Sequence, residues 1–381
     1  MSQDDFFQHR REWSRWKHGV LKRYLGKFTG ILGSRHQTVY YIDGFAGAGQ
    51  YTDPPEPGSP VIAARLAAEA PANRRPYTLR CINIEPETFD ELVAATADIA
   101  PGLVENRKGT FREHLPEILS TIGSSPALFF LDPYGHSGME WEVVSQLAQR
   151  SQAGRTTEVL LNFFISKIDR DGGWIDSVHK AGPAFVRHLD ELFGTTDWQA
   201  LYTANKDQGR RMHALTLLYL QRLAKAFSGI AASYEVKTIQ GALKYHVIHG
   251  THAPIGCREM SDVVYRVSEE YRQEQANVIA ATTNQLPLFS TTTPTEEERD
   301  ATIARELAPD IHALRTKRSR LTFTDVQDDL MGQWFGRALE KHYRAACKIL
   351  IADKKAELVR TATTSPKSRG GINSNTIIQL L

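Results

Sequence analysis

Tyr41-Ile42-Asp43-Gly44-Phe45-Ala46-Gly47-Ala48-Gly49 closes an apolar run, VYYID (39–43), with a turn dense in glycine. A buried strand that stops at an acid and breaks into glycines lets backbone approach a ligand where Cβ atoms would block it. Taken alone, the stretch is equally a plain tight loop, so its neighbours decide. TLRCINIE (78–85), ALFFLD (127–132) and EVLLNFF (158–164) also read as buried strands. PVIAARLAAEA, TFDELVAATADIA, FREHLPEILSTIG and WEVVSQLAQR, which lie among them, read as helices. Strands alternating with helices predict parallel crossovers and an open, Rossmann-like α/β sheet covered on both faces. Helices at about 183–193 and 208–227 precede two more apolar runs, SYEVKTI (233–239) and YHVIHGT (245–251). These complete the sheet with an antiparallel last pair.

In such a sheet ligands lie at the carboxyl ends of the strands. Glu85 ends the second strand, where an acid accepts hydrogen bonds from ribose hydroxyls. Asp132-Pro133-Tyr134-Gly135 ends the ALFFLD run and places an acid, a rigid turn and an aromatic ring at the same edge. A solvated strand end explains Glu85 alone, and a helix N-cap explains Asp132 alone. Three strand ends converging on one crevice are harder to explain that way. Lys167 and Arg170 read as solvated loop charges, His246, His249 and His252 as polar strand positions, and Trp13, Trp16 and Tyr24 as helix packing.

The flanks frame this domain. From Asp4 to about Leu32, apolar residues recur every three or four positions, a pattern of one or two helices. ATTNQLPLFSTTTPTEEER (281–299) has the composition of a solvated linker. Beyond it come helix, helix, helix, strand, the basic SPKSRGG and a last strand, the order of a winged helix-turn-helix. The expected division is an N-terminal helical extension at 1–35, a Rossmann-like domain at 36–280, a linker at 281–298 and a winged helix-turn-helix at 299–381. Across 381 residues, 46 Lys+Arg balance 44 Asp+Glu to a net charge of +2, which points to no partner class by itself. With 41% apolar residues the chain is globular, and no apolar stretch is long enough to span a bilayer. The charged start MSQDDFFQHRREWSRWKH has no signal-peptide core, so a cytoplasmic location is expected. Cys81, Cys257 and Cys347 form no CxxC pair and read as buried thiols rather than a metal site.

Phe45-Ala46-Gly47-Ala48-Gly49 resembles the FxGxG motif of S-adenosylmethionine-dependent methyltransferases that act on nucleic-acid amino groups, and Asp132-Pro133-Tyr134 resembles a shortened DPPY motif. Residues 6–270 as a whole resemble the three-Cys-motif partner proteins, a bacterial methyltransferase-like family. FFQHRREWSRWKHGVLKRYL, YIDGFAGAGQY, GSPVIAA, INIEPETFDEL, FFLDPYG and TEVLLNF carry the likeness. The resemblance implies a class I methyltransferase sheet with S-adenosylmethionine as cofactor. Asp43, Gly44, Phe45, Gly47 and Gly49 would then surround its methionine part and Glu85 would bind its ribose. Gly109, Thr110 and Phe111 would lie near its adenine, while Gly58 and Ser59 would offer N–H groups to its carboxylate. Asp132, with Pro133 and Tyr134, would orient and stack the acceptor base. The ring stands one position earlier than in DPPY, which leaves the acceptor atom open.

Lys341, Arg344 and Lys348 on a predicted helix, with Lys367 and Arg369 beside a Gly-Gly turn, would meet nucleic-acid phosphates, DNA or RNA. Two functions follow from the sequence: a nucleic-acid amino-methyltransferase, or a catalytically inactive scaffold that binds nucleic acid and a partner protein bearing a three-cysteine motif. An NAD dehydrogenase is disfavoured because FAGAG lacks GxGxxG spacing.

Overall fold

The structure, a computed structural model, describes residues 3–52, 55–73, 75–133, 138–175, 177, 179–237, 243–282, 294–359 and 372–381. The chain divides into two compact units, Met1–Cys257 and Arg258–Leu381.

The first unit is a mixed α/β layer structure on a seven-stranded sheet. Its strands are β1 (Thr38–Asp43), β4 (Thr78–Glu85), β5 (Val104–Lys108), β6 (Ala127–Leu131), β7 (Thr157–Phe163), β8 (Ile230–Lys237) and β9 (Leu243–Thr251). A separate hairpin, β2 (Gln50–Thr52) with β3 (Pro55–Pro57), leaves the glycine turn. The order across the sheet is β5-β4-β1-β6-β7-β9-β8. The pairs β1–β4, β1–β6, β4–β5 and β6–β7 are parallel, whereas β9 runs antiparallel to both β7 and β8. This is a doubly wound, Rossmann-like sheet whose order reverses at β1 and β6, so the crevice for a ligand opens beyond their carboxyl ends.

The central strands β1, β4, β6 and β7 are largely apolar because both faces are covered. Ile42, Ile82, Phe129, Leu131, Val159 and Leu161 enter one core cluster. They meet residues of α4 (Phe111–Ile122), α5 (Trp141–Gln152) and α9 (Gln208–Phe227) there. The alternate residues Tyr41, Cys81, Leu128, Phe130 and Leu160 are equally buried. They belong to the opposite face by the strand's period of two, the side of α1 (Gln3–Gly33) and α2 (Ser59–Glu69), both of which touch β1 and β4.

The N-terminal segment is one helix, α1, whose Trp16, Val20, Leu21, Tyr24, Leu25 and Phe28 form a buried stripe. A polar cluster pins the same helix. The Tyr24 hydroxyl donates to Glu158 and lies 3.1 Å from Gly256 O, and Glu158 also accepts from Thr251 Oγ1 (3.1 Å) and pairs with His249 Nε2 (3.0 Å). Trp16 stacks on Tyr234 at 5.5 Å. The side chain of Trp13 lies outside the described residues.

Two sequence expectations change. Lys167 and Arg170 stand not in a loop but on α6 (Ile165–Gly172), within 3.5 and 3.7 Å of the buried Asp171. Asp132 does not cap the next helix, since the N-cap of α5 is Glu140. The remaining helices of the unit are α3 (Phe89–Thr96), α7 (Gly182–Phe193) and α8 (Asp197–Ala204). All three cysteines are free and buried.

After α10 (Pro254–Thr282), the second unit contains α11 (Glu296–Ala313), β10 (Arg320–Thr322), α12 (Phe323–Trp334), α13 (Glu340–Ala352), β11 (Ala356–Val359) and β12 (Ile377–Leu380). The three strands form one antiparallel sheet, β10-β12-β11. Leu307, Ile311, Phe323, Val326, Tyr343, Cys347, Leu350 and Ile378 make its own core. Capping boxes at Thr295/Glu298 and Thr322/Asp325 start α11 and α12. Among the described residues no helix is long and apolar enough to cross a membrane.

Candidate functional site

The glycine turn is zipped onto the neighbouring strands. Gly44 N–H donates to Phe130 O and Ala46 N–H to Ile84 O, each at 3.0 Å. Gly47 and Gly49 adopt φ of 60° and 77°, left-handed conformations that favour glycine. A Cβ on Gly47 would point into open space, whereas one on Gly58 would lie 2.8 Å from Gly49 O. That oxygen accepts from Gly58 N–H at 2.9 Å, so the two glycines bring the start of α2 directly against the turn.

Asp43 lies under this turn and is fully buried. Its carboxyl is reached by the Tyr41 hydroxyl (2.9 Å), Phe45 N–H (3.2 Å) and the Ser59 hydroxyl. Burial nonetheless pushes its pKa up to about 6; these three hydrogen bonds pull the other way and the charge of Asp132 adds to the rise.

Glu85, 7% exposed, is a hub of backbone donors. Oε2 accepts from Gly47 N–H at 2.8 Å, and Oε1 from Glu87 N–H at 2.8 Å and Thr88 N–H at 2.9 Å. A carboxylate offers about four lone-pair sites, so a place on Oε2 remains for one further donor. Beyond the neighbouring strand, Gly109 N–H donates to Glu85 O at 3.3 Å and has φ of 138°. Thr110 is exposed and caps α4. Phe111 is 1% exposed, with its ring 6.3 Å from those of Phe45 and Phe129, so it supports the turn from the core side.

Asp132 follows β6 and faces two partners from other elements. Lys17 Nζ of α1 donates to Oδ2, and Asn162 Nδ2 near the end of β7 donates to Oδ1. Asp132 and Lys17 side chains are 19% and 13% exposed, and Asn162 is buried. Pro133 is buried, while Tyr134 lies outside the described residues. Lys17 is drawn two ways. Burial opposes its charge, but Asp132, Tyr51 and Asp43 more than compensate and raise its pKa above the ordinary lysine value. Beside it, burial and the Lys17 charge push His18 down to about 3, so this ring is neutral at pH 7. The His18 ring lies 5.7 Å from that of Tyr51, an exposed residue on the β2–β3 hairpin.

Sequence reasoning missed Lys17. One signal was present: Lys17 lies three and four residues before Val20 and Leu21, a charge on the apolar stripe of the helix. The crevice therefore gathers Asp43, Glu85, Asp132, Lys17 and Asn162 around the glycine turn. Among the described residues no group of three or more His, Cys, Asp and Glu is placed to hold a metal ion.

In the second unit, Lys341 pairs with Glu296 (3.1 Å) and Asp300 (2.6 Å), and Arg344 pairs with Glu340 and lies 5.2 Å from the Phe323 ring centroid. Lys348 is exposed. Lys367 and Arg369 lie outside the described residues.

No family model matches the chain, and neither does any curated protein. Among solved structures, a Legionella pneumophila protein is similar at 12% identity, over 68% of this chain and 91% of its own, with a TM-score of 0.36. An O-methyltransferase from Bacillus cereus, in complex with SAH, is similar at 13% identity over 60% and 80% of the two chains, with a TM-score of 0.31. At TM-scores of this size the fold rests on the strand order and register themselves.

Proposed function

We propose that this chain is an S-adenosylmethionine-dependent methyltransferase acting on an amino group of a nucleic-acid base. One observation carries the reading: Asp43, Glu85 and Asp132, ending three neighbouring strands, converge where the sheet reverses order. The residues present suit the cofactor. Its sulfonium and ammonium are cationic and the crevice is acidic; its ribose needs an acceptor and Glu85 Oε2 has room for one more donor; its methionine part needs a turn free of side chains, which Gly47 provides, while Gly58 lets α2 start against that turn. Ser59, whose hydroxyl is turned to Asp43, opens α2 beside it.

S-adenosylmethionine, when bound, supplies a methyl group already activated on a sulfonium. The chain then has little chemistry to perform beyond holding two reactants in line and excluding water. Asp132 accepts an N–H of the acceptor amine, which turns the nitrogen lone pair to the methyl group, while Pro133 stiffens the turn and Tyr134 stacks on the base. The order of elements in the second unit is that of a winged helix-turn-helix, with α13 as recognition helix. Lys341, Arg344 and Lys348, with Lys367 and Arg369, supply phosphate contacts. Exposed pairs such as Lys341–Glu296 are worth little, so a phosphate can take their place. The resemblance to three-Cys-motif partner proteins adds a protein partner carrying the cysteine motif.

A second reading, the inactive scaffold, is favoured by one feature: both oxygens of Asp132 are already engaged. Calorimetric titration with S-adenosylmethionine and S-adenosylhomocysteine separates the two. Binding of about −8 kcal/mol, in the micromolar range, supports the enzyme. A folded chain that binds neither compound refutes it and leaves the scaffold.

A further inference from the structure

We infer that Lys17 is a positioning residue of the methyl-transfer site: from α1 it fixes one oxygen of the Asp132 carboxylate while Asn162 fixes the other, and so sets the direction from which the acceptor amine must donate. The inference rests on the methyltransferase reading and adds to it a residue from outside the motif-bearing strands.

Three elements distant in sequence supply the group. Lys17 comes from α1, Asp132 from the end of β6 and Asn162 from β7. A carboxylate on a strand end turns about its last side-chain bond, and a donor on one oxygen leaves that rotation soft. Donors on both oxygens remove it. About one lone pair on each oxygen then remains unspent, and the partial exposure of Asp132 leaves an edge open to a substrate.

Helix attachment does not account for the lysine. α1 is already held by its apolar stripe, by Tyr24 on Glu158 and Gly256 O, by Trp16 on Tyr234, and by the Tyr77 hydroxyl, which donates to Thr29 Oγ1 at 2.9 Å. A buried ion pair adds little net stability over well-packed apolar residues, because desolvation offsets the attraction. A leucine or methionine at this point of the stripe would hold the helix as well. Asn162 supports the same conclusion. Its Oδ1 is buried with no hydrogen-bond partner among the described residues, a cost that a purely structural amide seldom carries and that gathers at functional sites.

The group also makes Lys17 itself a poor methyl acceptor. An ammonium has no lone pair, and the carboxylates around Lys17 favour that charged form. A base amine is neutral and keeps its lone pair, so the crevice distinguishes the two nitrogens by protonation.

The test is a double-mutant cycle on the full chain with tritiated S-adenosylmethionine, using total bacterial RNA and heat-denatured genomic DNA as acceptors. Lys17→Met is expected to slow single-turnover transfer by about 10- to 100-fold, the effect of misplacing a reacting partner, with cofactor affinity within about threefold of wild type. If Lys17 acts through Asp132, the double variant Lys17→Met/Asp132→Ala is no slower than Asp132→Ala alone, whereas a merely structural role makes the losses multiply. Should Lys17→Met not fold, Lys17→Arg replaces it. The guanidinium keeps the charge but donates along other directions, so a folded chain with slower transfer is expected. Undiminished transfer in either folded variant, multiplying losses in the cycle, or cofactor affinity falling as far as the rate overturns the inference and leaves the methyltransferase reading intact. Wild-type protein that transfers no methyl group to either acceptor overturns both together.

Discussion

Replacing Glu85 by Gln tests the turn and the cofactor pocket with one atom. In the wild type, Oε1 accepts from Glu87 and Thr88 N–H and Oε2 from Gly47 N–H. The glutamine amide keeps its oxygen on the two donors of the Glu87–Thr88 turn, which leaves its NH₂ facing Gly47 N–H, donor against donor. The reverse orientation sets two donors against the amide and is worse. One charge-assisted hydrogen bond is lost and one N–H is orphaned at a site only 7% exposed, at a cost of about 1.5–3 kcal/mol. For a unit of this size that lowers the thermal midpoint by about 3–12 °C. Cofactor affinity should fall by a similar free energy, about 10- to 150-fold, because the acceptor on the Gly47 side has become a donor. Differential scanning calorimetry and isothermal titration read the two numbers. Glu56→Gln is the control: its pair with Arg15 is solvent-exposed and worth at most about 1 kcal/mol. A Glu85→Gln protein with wild-type midpoint and wild-type affinity would refute the assignment of Glu85 to both roles.

Asp43 makes stability depend on pH in an unusual direction. Its folded pKa of about 6 lies above the ordinary 3.8, so its contribution is fully present below about pH 4 and lost as pH rises through about 6. Between pH 4 and pH 7, denaturant unfolding should show Asp43→Asn gaining about 2 kcal/mol on wild type, and cofactor affinity of the wild type should rise through pH 6 as the carboxylate forms. Tyr24→Phe removes the hydroxyl from Glu158 and Gly256 O at a cost of about 1–2 kcal/mol; an unchanged midpoint would mean that the apolar stripe alone holds α1. Gly58→Ala forces a Cβ to 2.8 Å from Gly49 O, a backbone atom, and should destabilise by about 1–3 kcal/mol, whereas Gly26→Ala, with nothing within 4 Å, should not destabilise.

The central strands were legible because burial on both faces leaves uninterrupted apolar runs: TLRCINIE coincides with β4, the runs at 39–43 and 127–132 differ from β1 and β6 by a residue at one end, and the run at 158–164 is β7 shifted by one residue. VENRK (104–108) was not legible as a run. It forms the edge strand β5, where Glu105, Arg107 and Lys108 carry charges and break the apolar run. The β2–β3 hairpin escaped notice because three-residue strands, the second of them Pro-Glu-Pro, give no alternation to read. In the site, the acids at strand ends were visible because topology alone puts them together. Lys17 was not, since contact between α1 and the end of β6 depends on how the helix crosses the sheet. The sequence pattern of α1 specified a buried stripe but not which strand end its lysine would reach.

The contact between Gly49 and Gly58 closes the β2–β3 hairpin at its base. Gly58 N–H on Gly49 O acts as a clasp: whatever the chain does from Gln50 to Pro57, it leaves and re-enters the glycine turn at the same two atoms. The hairpin is thereby mechanically insulated from the turn it grows out of. Its length is free to diverge without disturbing the backbone beneath, which makes this segment the place to graft a longer loop, provided that Tyr51 and Glu56 keep their contacts with α1.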